Sequence, residues 1–231
     1  MRLFLVKDFI DLVFPRNCDL CGTTLFDQET CICSVCTGLL PVTSYHLRPF
    51  DNDLADKIKG LTEVNRVMAY LRFTKKGNSQ KLLHELKYRN NHQLAVHLGR
   101  LYGSLLKENG FMGKWQCVIP VPLHPAKQKR RGYNQSEEFA KGLAEELKIS
   151  VTNALSRKLF TSTQTKKSRL ERMDNVENVF EFNEGIDLRD REVLLVDDVM
   201  TTGATLCACS NVLLSNDAKN VDLATIAAGG K

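Results

Sequence analysis

The sequence predicts an α/β protein with a mainly parallel sheet flanked by helices, preceded by a small cysteine-rich unit. Strand-like apolar segments alternate with helical segments along most of the chain, and this alternation favours parallel strands. Five of the eight cysteines fall within residues 18–36. The length of 231 residues suits one full domain and a small additional one. We therefore expect two units, 1–45 and 46–231.

A short amphipathic helix is predicted at the N-terminus. Its apolar positions Leu3, Val6, Ile10 and Val13 recur on one helical face. Charged residues interrupt them, so the segment lacks the continuous apolar region of a signal peptide. No apolar run approaches the ~20 residues that span a bilayer. These features predict a cytoplasmic protein, whose thiols stay reduced.

The clustered cysteines form two CxxC pairs, at 18–21 and 33–36, with Cys31 between them. Two such pairs let four thiolates converge on one tetrahedral zinc ion. In a reducing compartment, clustered cysteines are more often metal ligands than disulfides. The expected ligands of this structural, zinc-ribbon-like site are Cys18, Cys21, Cys33 and Cys36. The sequence leaves open whether Cys31 replaces Cys33.

The second unit is predicted to begin with a loop and to continue with a strand and two helices. Residues 38–53 contain two prolines and little periodicity, which is typical of a linker. A strand is predicted at 66–73 and a helix at 79–89. The next helix, at 92–109, carries a stripe of leucines on one face.

The remaining segments continue the alternation. Strands are predicted at 115–122, 149–158, 192–198 and 221–228. Helices are predicted at 136–148, with Ser136 as the cap, and at 204–216. Between the strand at 115–122 and the helix after it, a basic segment is predicted to be a loop.

The segment VLLVDDVMTTGAT at 193–205 carries the strongest chemical signal. An apolar strand ends in Asp197 and Asp198, and a Thr/Gly loop leads into a helix. Ligands of open α/β sheets bind at the carboxyl ends of strands, and helix N-termini bind phosphate. The predicted phosphate-binding residues are Thr201, Thr202, Gly203, Ala204 and Thr205. The alternative is a solvated turn followed by a helix cap.

This segment resembles the phosphoribosyl pyrophosphate (PRPP) motif of type I phosphoribosyltransferases. With the double CxxC element and the segments at 119–144 and 161–180, the chain is similar over nearly its whole length to the ComF/GntX family of competence and DNA-utilisation proteins. The resemblance implies a type I phosphoribosyltransferase-like fold, PRPP as ligand, Mg²⁺ bound with it, and a role in DNA uptake and natural transformation.

Two basic segments complete the expected site. The loop after Pro122 contains four cations and no acidic residue, and Arg binds phosphate oxygens bidentately. The candidate pyrophosphate-loop residues are Lys127, Arg130 and Arg131. The segment 161–180 resembles the flexible catalytic loop of amidophosphoribosyltransferases, which closes over PRPP and excludes water. The candidate residues of this lid are Lys166, Lys167, Arg169 and Arg172. The alternative is a surface loop that binds DNA backbone.

The implied reaction is Mg²⁺-dependent displacement of pyrophosphate from the anomeric carbon of PRPP. Asp197 and Asp198 are the predicted catalytic residues, which would hold the ribose and its metal. The residues identify neither a base nor an acceptor pocket. The alternative function is a non-catalytic adaptor that binds PRPP or single-stranded DNA, with helicase and recombination proteins as partners.

The charge distribution agrees with a phosphosugar site. The net charge is +5, but residues 87–172 contain 17 basic and 6 acidic residues, whereas 173–231 contain 4 and 11. A basic middle and an acidic end favour an anion held between them with a divalent cation. The hydrophobic fraction of 43% and charged fraction of 26% are those of a folded globular protein, which excludes wholly disordered and fibrous chains.

Overall fold

Five parallel strands form the central sheet. The structure, a computed structural model, describes residues 14–157 and 179–229. The strands within them are β1 (Val67–Arg72), β2 (Cys117–Pro120), β3 (Ser150–Val151), β4 (Leu155–Arg157), β5 (Phe180–Phe182), β6 (Glu192–Met200) and β7 (Asn220–Ala228). The sheet has the order β1–β7–β6–β2–β3 with every pair parallel, and β4 and β5 form a separate antiparallel pair. The predicted fold class is confirmed.

Helices flank this sheet. They are α1 (Ser34–Gly38), α2 (Asp53–Ile58), α3 (Asn78–Tyr88), α4 (His92–Glu108), α5 (Pro125–Arg131), α6 (Gln135–Leu147) and α7 (Ala204–Leu214). The four helices predicted from periodicity correspond to α3, α4, α6 and α7. The helix predicted at the N-terminus lies outside the described residues. None of the described helices combines the length and the apolar character needed to cross a membrane.

The sheet is buried because its central strands are apolar on both faces, as expected for parallel strands covered by helices. On one side, α4 and α6 pack unusually closely. A Cβ added to Gly142 would lie 2.1 Å from the carbonyl oxygen of Val96, and one added to Gly99 would lie 2.3 Å from that of Phe139. Only glycine at these positions allows the two backbones to approach to this distance.

The basic segment after Pro122 is a helix, so the prediction of a loop was wrong. His124 caps α5 by accepting a hydrogen bond from the Ala126 N–H at 3.2 Å, and Pro125 occupies the first turn. Gly132 ends the helix in the left-handed conformation, with φ of 80°. Ala, Lys, Gln and Arg between these two caps all favour helix, so local propensity overcomes the preceding proline pair.

Strand β6 continues past the point where its apolar pattern ends. Its ladder with β7 includes Asp197 opposite Thr225 and runs to Met200 opposite Ala228. On its other side, pairing with β2 stops at Val196, because β2 leaves the sheet at its two prolines. Both carboxylates lie within the strand, as predicted, but the strand runs on to Met200, and one of its edges is open at the carboxylates.

The segment 38–53, predicted to be a loop, is attached to the sheet. The Thr43 N–H donates to the carbonyl of Tyr70, and the Arg72 N–H donates to that of Pro41. A short 3-10 helix, Tyr45–Leu47, follows, and Tyr45 is buried. The cysteine-rich unit continues into the same buried core, and the boundary between units at residue 45 stays a prediction.

Candidate functional site

A cavity of about 200 Å³ opens where β2 and β6 separate at their carboxyl ends. It brings together five of the residues predicted from the sequence: Lys127, Arg131, Asp197, Asp198 and Thr205. They come from three elements, α5, β6 and α7, that are distant in the chain. Carboxylates therefore face cations and a helix N-terminus across one small space, which is the arrangement expected around an anionic, hydroxyl-rich ligand.

The two carboxylates have different partners. Asp197 Oδ1 accepts hydrogen bonds from the Ser136 hydroxyl at 2.9 Å and from the Asp198 N–H at 2.8 Å. Burial, and then the neighbouring Asp198 charge, raise the pKa of Asp197 to about 7. Asp198 instead forms an ion pair with Lys87, whose Nζ lies 2.9 Å from Oδ2. Asp197 is thus held by neutral hydrogen-bond donors, and Asp198 is the carboxylate with a cationic partner.

Cations of α5 lie on the opposite side of the cavity. Lys127 and Arg131 are four residues apart, so they share one face of the helix. Arg131 Nη1 donates to Gln135 Oε1 at 2.8 Å. Its Nε is buried and has no hydrogen-bond partner among the described residues, so an N–H donor remains for an anionic ligand. Arg130, also predicted for this site, is exposed and is not among the residues that line the cavity.

The loop 201–205 forms the N-terminus of α7. Gly203 is the N-cap residue, with φ of 83°, and offers no side chain as a cap, although the Ala204 N–H donates a long hydrogen bond of 3.5 Å to Thr202 Oγ1. A Cβ at Gly203 would lie 2.4 Å from Ile58 Cγ2, so the loop packs tightly on α2. Thr201 and Thr202 are exposed, and Thr205 lines the cavity. First-turn N–H groups without a side-chain cap can bind an anion.

The residues that line the cavity and were missed from the sequence include Lys87, Ser136 and Arg157. Ser136 had been predicted as a helix cap, but Asn134 caps α6 and leaves the Ser136 hydroxyl for Asp197. Arg157 belongs to the basic stretch before the predicted lid, which is a signal that could have identified it. No periodicity or motif distinguishes Lys87.

The lid residues Lys166, Lys167, Arg169 and Arg172 lie outside the described residues. The strands on either side of them are described, and Arg157 of β4 pairs with Phe180 of β5. The Arg157 guanidinium lies 5.3 Å from the centre of the Phe180 ring, consistent with a cation–π contact. Arg157 also lines the cavity, so the described part of β4 ends beside the site.

The cysteine cluster has the composition and size of a metal site. The sulfur atoms of Cys18, Cys21, Cys33 and Cys36 all lie within 4.8 Å of one another. Zn–S bonds of about 2.3 Å in a tetrahedron place sulfurs about 3.8 Å apart, and Cys21 and Cys33 are at 3.7 Å. Backbone N–H groups of Cys33 and Cys36 donate to sulfurs of the cluster. These four residues could therefore hold zinc.

Cys31 does not belong to this cluster. It is buried beside it, and burial raises the pKa of its thiol to about 11. The alternative in which Cys31 replaces Cys33 is thus not the arrangement in the structure.

Comparison with known proteins identifies a phosphoribosyl transferase domain at residues 134–231. Competence protein F of Haemophilus influenzae is 39% identical over 100 residues, which are 42% of this chain and 44% of that protein. DNA utilization protein YhgH of Escherichia coli (strain K12) is 31% identical over 146 residues, 62% of this chain and 63% of that protein. The matched regions thus span less than two thirds of either relative.

Among solved structures, a glutamine phosphoribosylpyrophosphate amidotransferase from B. subtilis superposes with a TM-score of 0.45 at 19% identity. The superposition covers 62% of this chain and 30% of the amidotransferase. The domain match that begins at residue 134 includes both β6 carboxylates and the loop 201–205, whereas α3 and α5 precede it.

Proposed function

We propose that the chain is a ComF-like protein that binds PRPP or a related phosphosugar together with Mg²⁺ in the cavity between β2 and β6. The match to a phosphoribosyl transferase domain and the similarity to competence and DNA utilization proteins support this proposal. One observation carries this proposal. The cavity brings together two adjacent carboxylates, cations of α5 and the N-terminus of α7. The carboxylates are complementary to ribose hydroxyls and a divalent cation, and the α5 cations are complementary to pyrophosphate. The N-terminus of α7 is complementary to a 5′-phosphate.

The described residues suit such a ligand. The N–H groups at the start of α7 would bind the 5′-phosphate, and Gly203, in the left-handed conformation, allows the turn that leads into this helix. Asp197 and Asp198 provide the carboxylate oxygens that Mg²⁺ prefers. Lys127 and Arg131 would bind the pyrophosphate, with the unpaired Nε of Arg131 as one donor.

In a reaction, these groups would promote departure of pyrophosphate from the anomeric carbon. Bound Mg²⁺ would supply neutralisation of the leaving group. The α5 cations would stabilise the negative charge that develops on it, and the β6 carboxylates would favour the positive charge that develops on the ribose ring. Whether an acceptor is used, or the chain acts as a PRPP- or DNA-binding adaptor in DNA uptake, is decided by the experiments below.

Ligand binding is tested first by thermal unfolding with millimolar PRPP and Mg²⁺. A ligand that binds only the folded state should raise the melting temperature by several degrees when its concentration is about 100 times Kd. Asp198→Asn should abolish the shift. Asp217→Asn changes an exposed carboxylate that does not line the cavity, so it is the matched control and should retain the shift. A wild-type protein that shows no shift contradicts the proposal.

Catalysis is tested by incubating the protein with PRPP, Mg²⁺ and candidate bases or amines, and by measuring pyrophosphate release. Release that depends on both an acceptor and Asp198 supports a phosphoribosyltransferase. Absence of release, combined with salt-dependent affinity for single-stranded DNA, supports the adaptor instead. Helicase and recombination proteins would then be the partners to test in a binding assay.

A further inference from the structure

Lys87 lines the candidate site, although it belongs to none of the motifs identified in the sequence. Its Nζ lies 2.9 Å from Asp198 Oδ2, and the two side chains are only 26% and 18% exposed. Lys87 also lines the cavity, together with the cations of α5. Because both partners are largely shielded from solvent, their attraction is screened less than that of a surface ion pair.

The end of α3 that carries Lys87 is held in place against the site. The Tyr133 hydroxyl donates to the carbonyl of Leu86 at 2.6 Å, and Gln135 Nε2 donates to the same oxygen at 3.2 Å. Asn90, just after α3, packs directly against Gly132 at the end of α5. The backbone next to Lys87 is thus tied to the turn between α5 and α6, while its four-carbon side chain remains free to change partner.

The Lys87 ammonium group lies beside Asp198, where a divalent cation bound by that carboxylate would also lie. The carboxylates of Asp197 and Asp198 are adjacent, and Lys87 supplies a positive charge beside the second of them. A divalent cation that coordinates Asp198 needs the same carboxylate and repels the ammonium group. A phosphosugar that arrives with the cation offers phosphate oxygens, to which the released ammonium group can donate.

We propose that Lys87 is an internal counter-ion: it holds Asp198 in the ligand-free protein and exchanges Asp198 for a phosphate oxygen when Mg²⁺ and the phosphosugar bind together. Only the exchange of Lys87 onto a phosphate oxygen rests on the proposed function; the pairing of Lys87 with Asp198 in the ligand-free protein does not. It predicts that a divalent cation alone binds weakly, because it must displace Lys87 without offering that side chain a new partner. Cation and phosphosugar binding are then positively coupled.

The test compares Lys87→Met with Lys81→Met, an exposed lysine of the same helix. Mn²⁺ is titrated into the folded full-length protein without PRPP and followed by electron paramagnetic resonance, and PRPP is titrated in Mg²⁺ by calorimetry. Lys87→Met should bind Mn²⁺ about fivefold more tightly and PRPP about tenfold more weakly. Lys81→Met should change neither. Lys87→Gln provides a second variant if Lys87→Met does not fold.

The two measurements separate this proposal from the proposed function. Tighter Mn²⁺ binding that is lost again in Lys87→Met/Asp198→Asn supports the counter-ion role. A wild-type protein that binds no PRPP overturns the proposed function, and with it the exchange of Lys87 onto a phosphate, but not the counter-ion role. Unchanged or weaker Mn²⁺ binding by both Lys87 variants overturns the counter-ion role. If the wild-type protein binds PRPP and the Lys87 variants bind it equally well, the exchange of partners is overturned.

Discussion

At the scale of the residue, two adjacent aspartates of one strand are in opposite electrostatic environments. Asp197 is half-buried, and desolvation raises its pKa to about 7, while Asp198 is paired with Lys87. Neutral hydrogen-bond donors, a hydroxyl and an N–H, contact the first, and a cation contacts the second. A buried carboxylate without a cationic partner destabilises the folded state when it is ionised, so Asp197 should lower stability at the pH where it is charged.

We expect Asp197→Asn to stabilise the protein, and to do so more at pH 8 than at pH 5. Because the folded-state pKa lies above that of the unfolded chain, wild-type stability falls as the pH rises from about 4 to about 7. Asn keeps an oxygen for Ser136 but never ionises. Its advantage should therefore grow by roughly 1–2 kcal/mol between these pH values, measured as the difference in melting temperature between variant and wild type. An equal difference at both pH values would contradict the assigned pKa.

Site residues could be predicted from the sequence where they belong to a motif, but not where only the fold brings them to the site. Asp197, Asp198 and Thr205 were identified because strand, acidic pair and Thr/Gly loop follow one another in the chain. Lys87 is 110 residues or more from them in sequence and lies on an ordinary amphipathic helix. Its role depends on where α3 ends relative to β6, which local sequence does not encode.

At the scale of the element, hydrophobic pattern and backbone pairing give different boundaries. The apolar run of β6 ends at Val196, and the prediction ended the strand just after it, at Asp198. Its hydrogen-bonded ladder with β7 continues to Met200. Periodicity reports burial of side chains, whereas a ladder needs only a partner strand. The helix α5 was missed for a related reason: it buries no side chain, and only its caps and propensities indicate it.

The close packing of α4 on α6 makes a second prediction at this scale. Gly142→Ala places a methyl group 2.1 Å from the backbone oxygen of Val96, which no rotamer change relieves. We expect a loss of about 2 kcal/mol or more, since the helices must separate, observed as a lower urea midpoint. Gly38→Ala has open space around its Cβ and should leave stability unchanged or slightly higher. Similar midpoints for both variants would contradict the packing argument.

The cysteine cluster leads to a third prediction. We propose that it binds one structural zinc, and expect metal analysis of the purified protein to find about one zinc per chain. Cys21 is exposed, so Cys21→Ser removes a ligand with little change in packing, and it should lower both zinc content and melting temperature. Cys31→Ser should retain the zinc, because Cys31 is outside the cluster. A well-folded wild-type protein without metal, or zinc loss from Cys31→Ser, would contradict the assignment.

At the scale of the whole molecule, the fold brings the basic middle and the acidic end of the chain together at one cavity. The basic middle of the sequence contributes Lys127 and Arg131, and the acidic end contributes Asp197 and Asp198. Local patterns predicted the parallel sheet, but the strand order in which β7 lies between β1 and β6 depends on pairings between distant segments. The position of β7 leaves the β2 side of β6 as the open edge beyond Val196.

Removal of a cation that lines the cavity should therefore weaken PRPP binding more than removal of a cation on the outer surface of α5. Lys127→Gln and Arg130→Gln each remove one exposed charge from the same helix and keep a good helix former. Only Lys127 lines the cavity. We expect Lys127→Gln to weaken PRPP binding about tenfold in Mg²⁺, and Arg130→Gln to leave it within about twofold, both measured by calorimetry.

Binding of single-stranded DNA through its backbone would respond differently to the same two variants. Each charge that contacts a phosphate contributes similarly to affinity, and its loss lowers the salt dependence by about one counterion. A DNA site on α5 should therefore lose comparable affinity in Lys127→Gln and Arg130→Gln, measured by fluorescence anisotropy at several salt concentrations. Equal losses of PRPP affinity in the two variants would place the phosphosugar on the outer surface of α5, and would contradict a ligand held between the basic helix and the acidic strand.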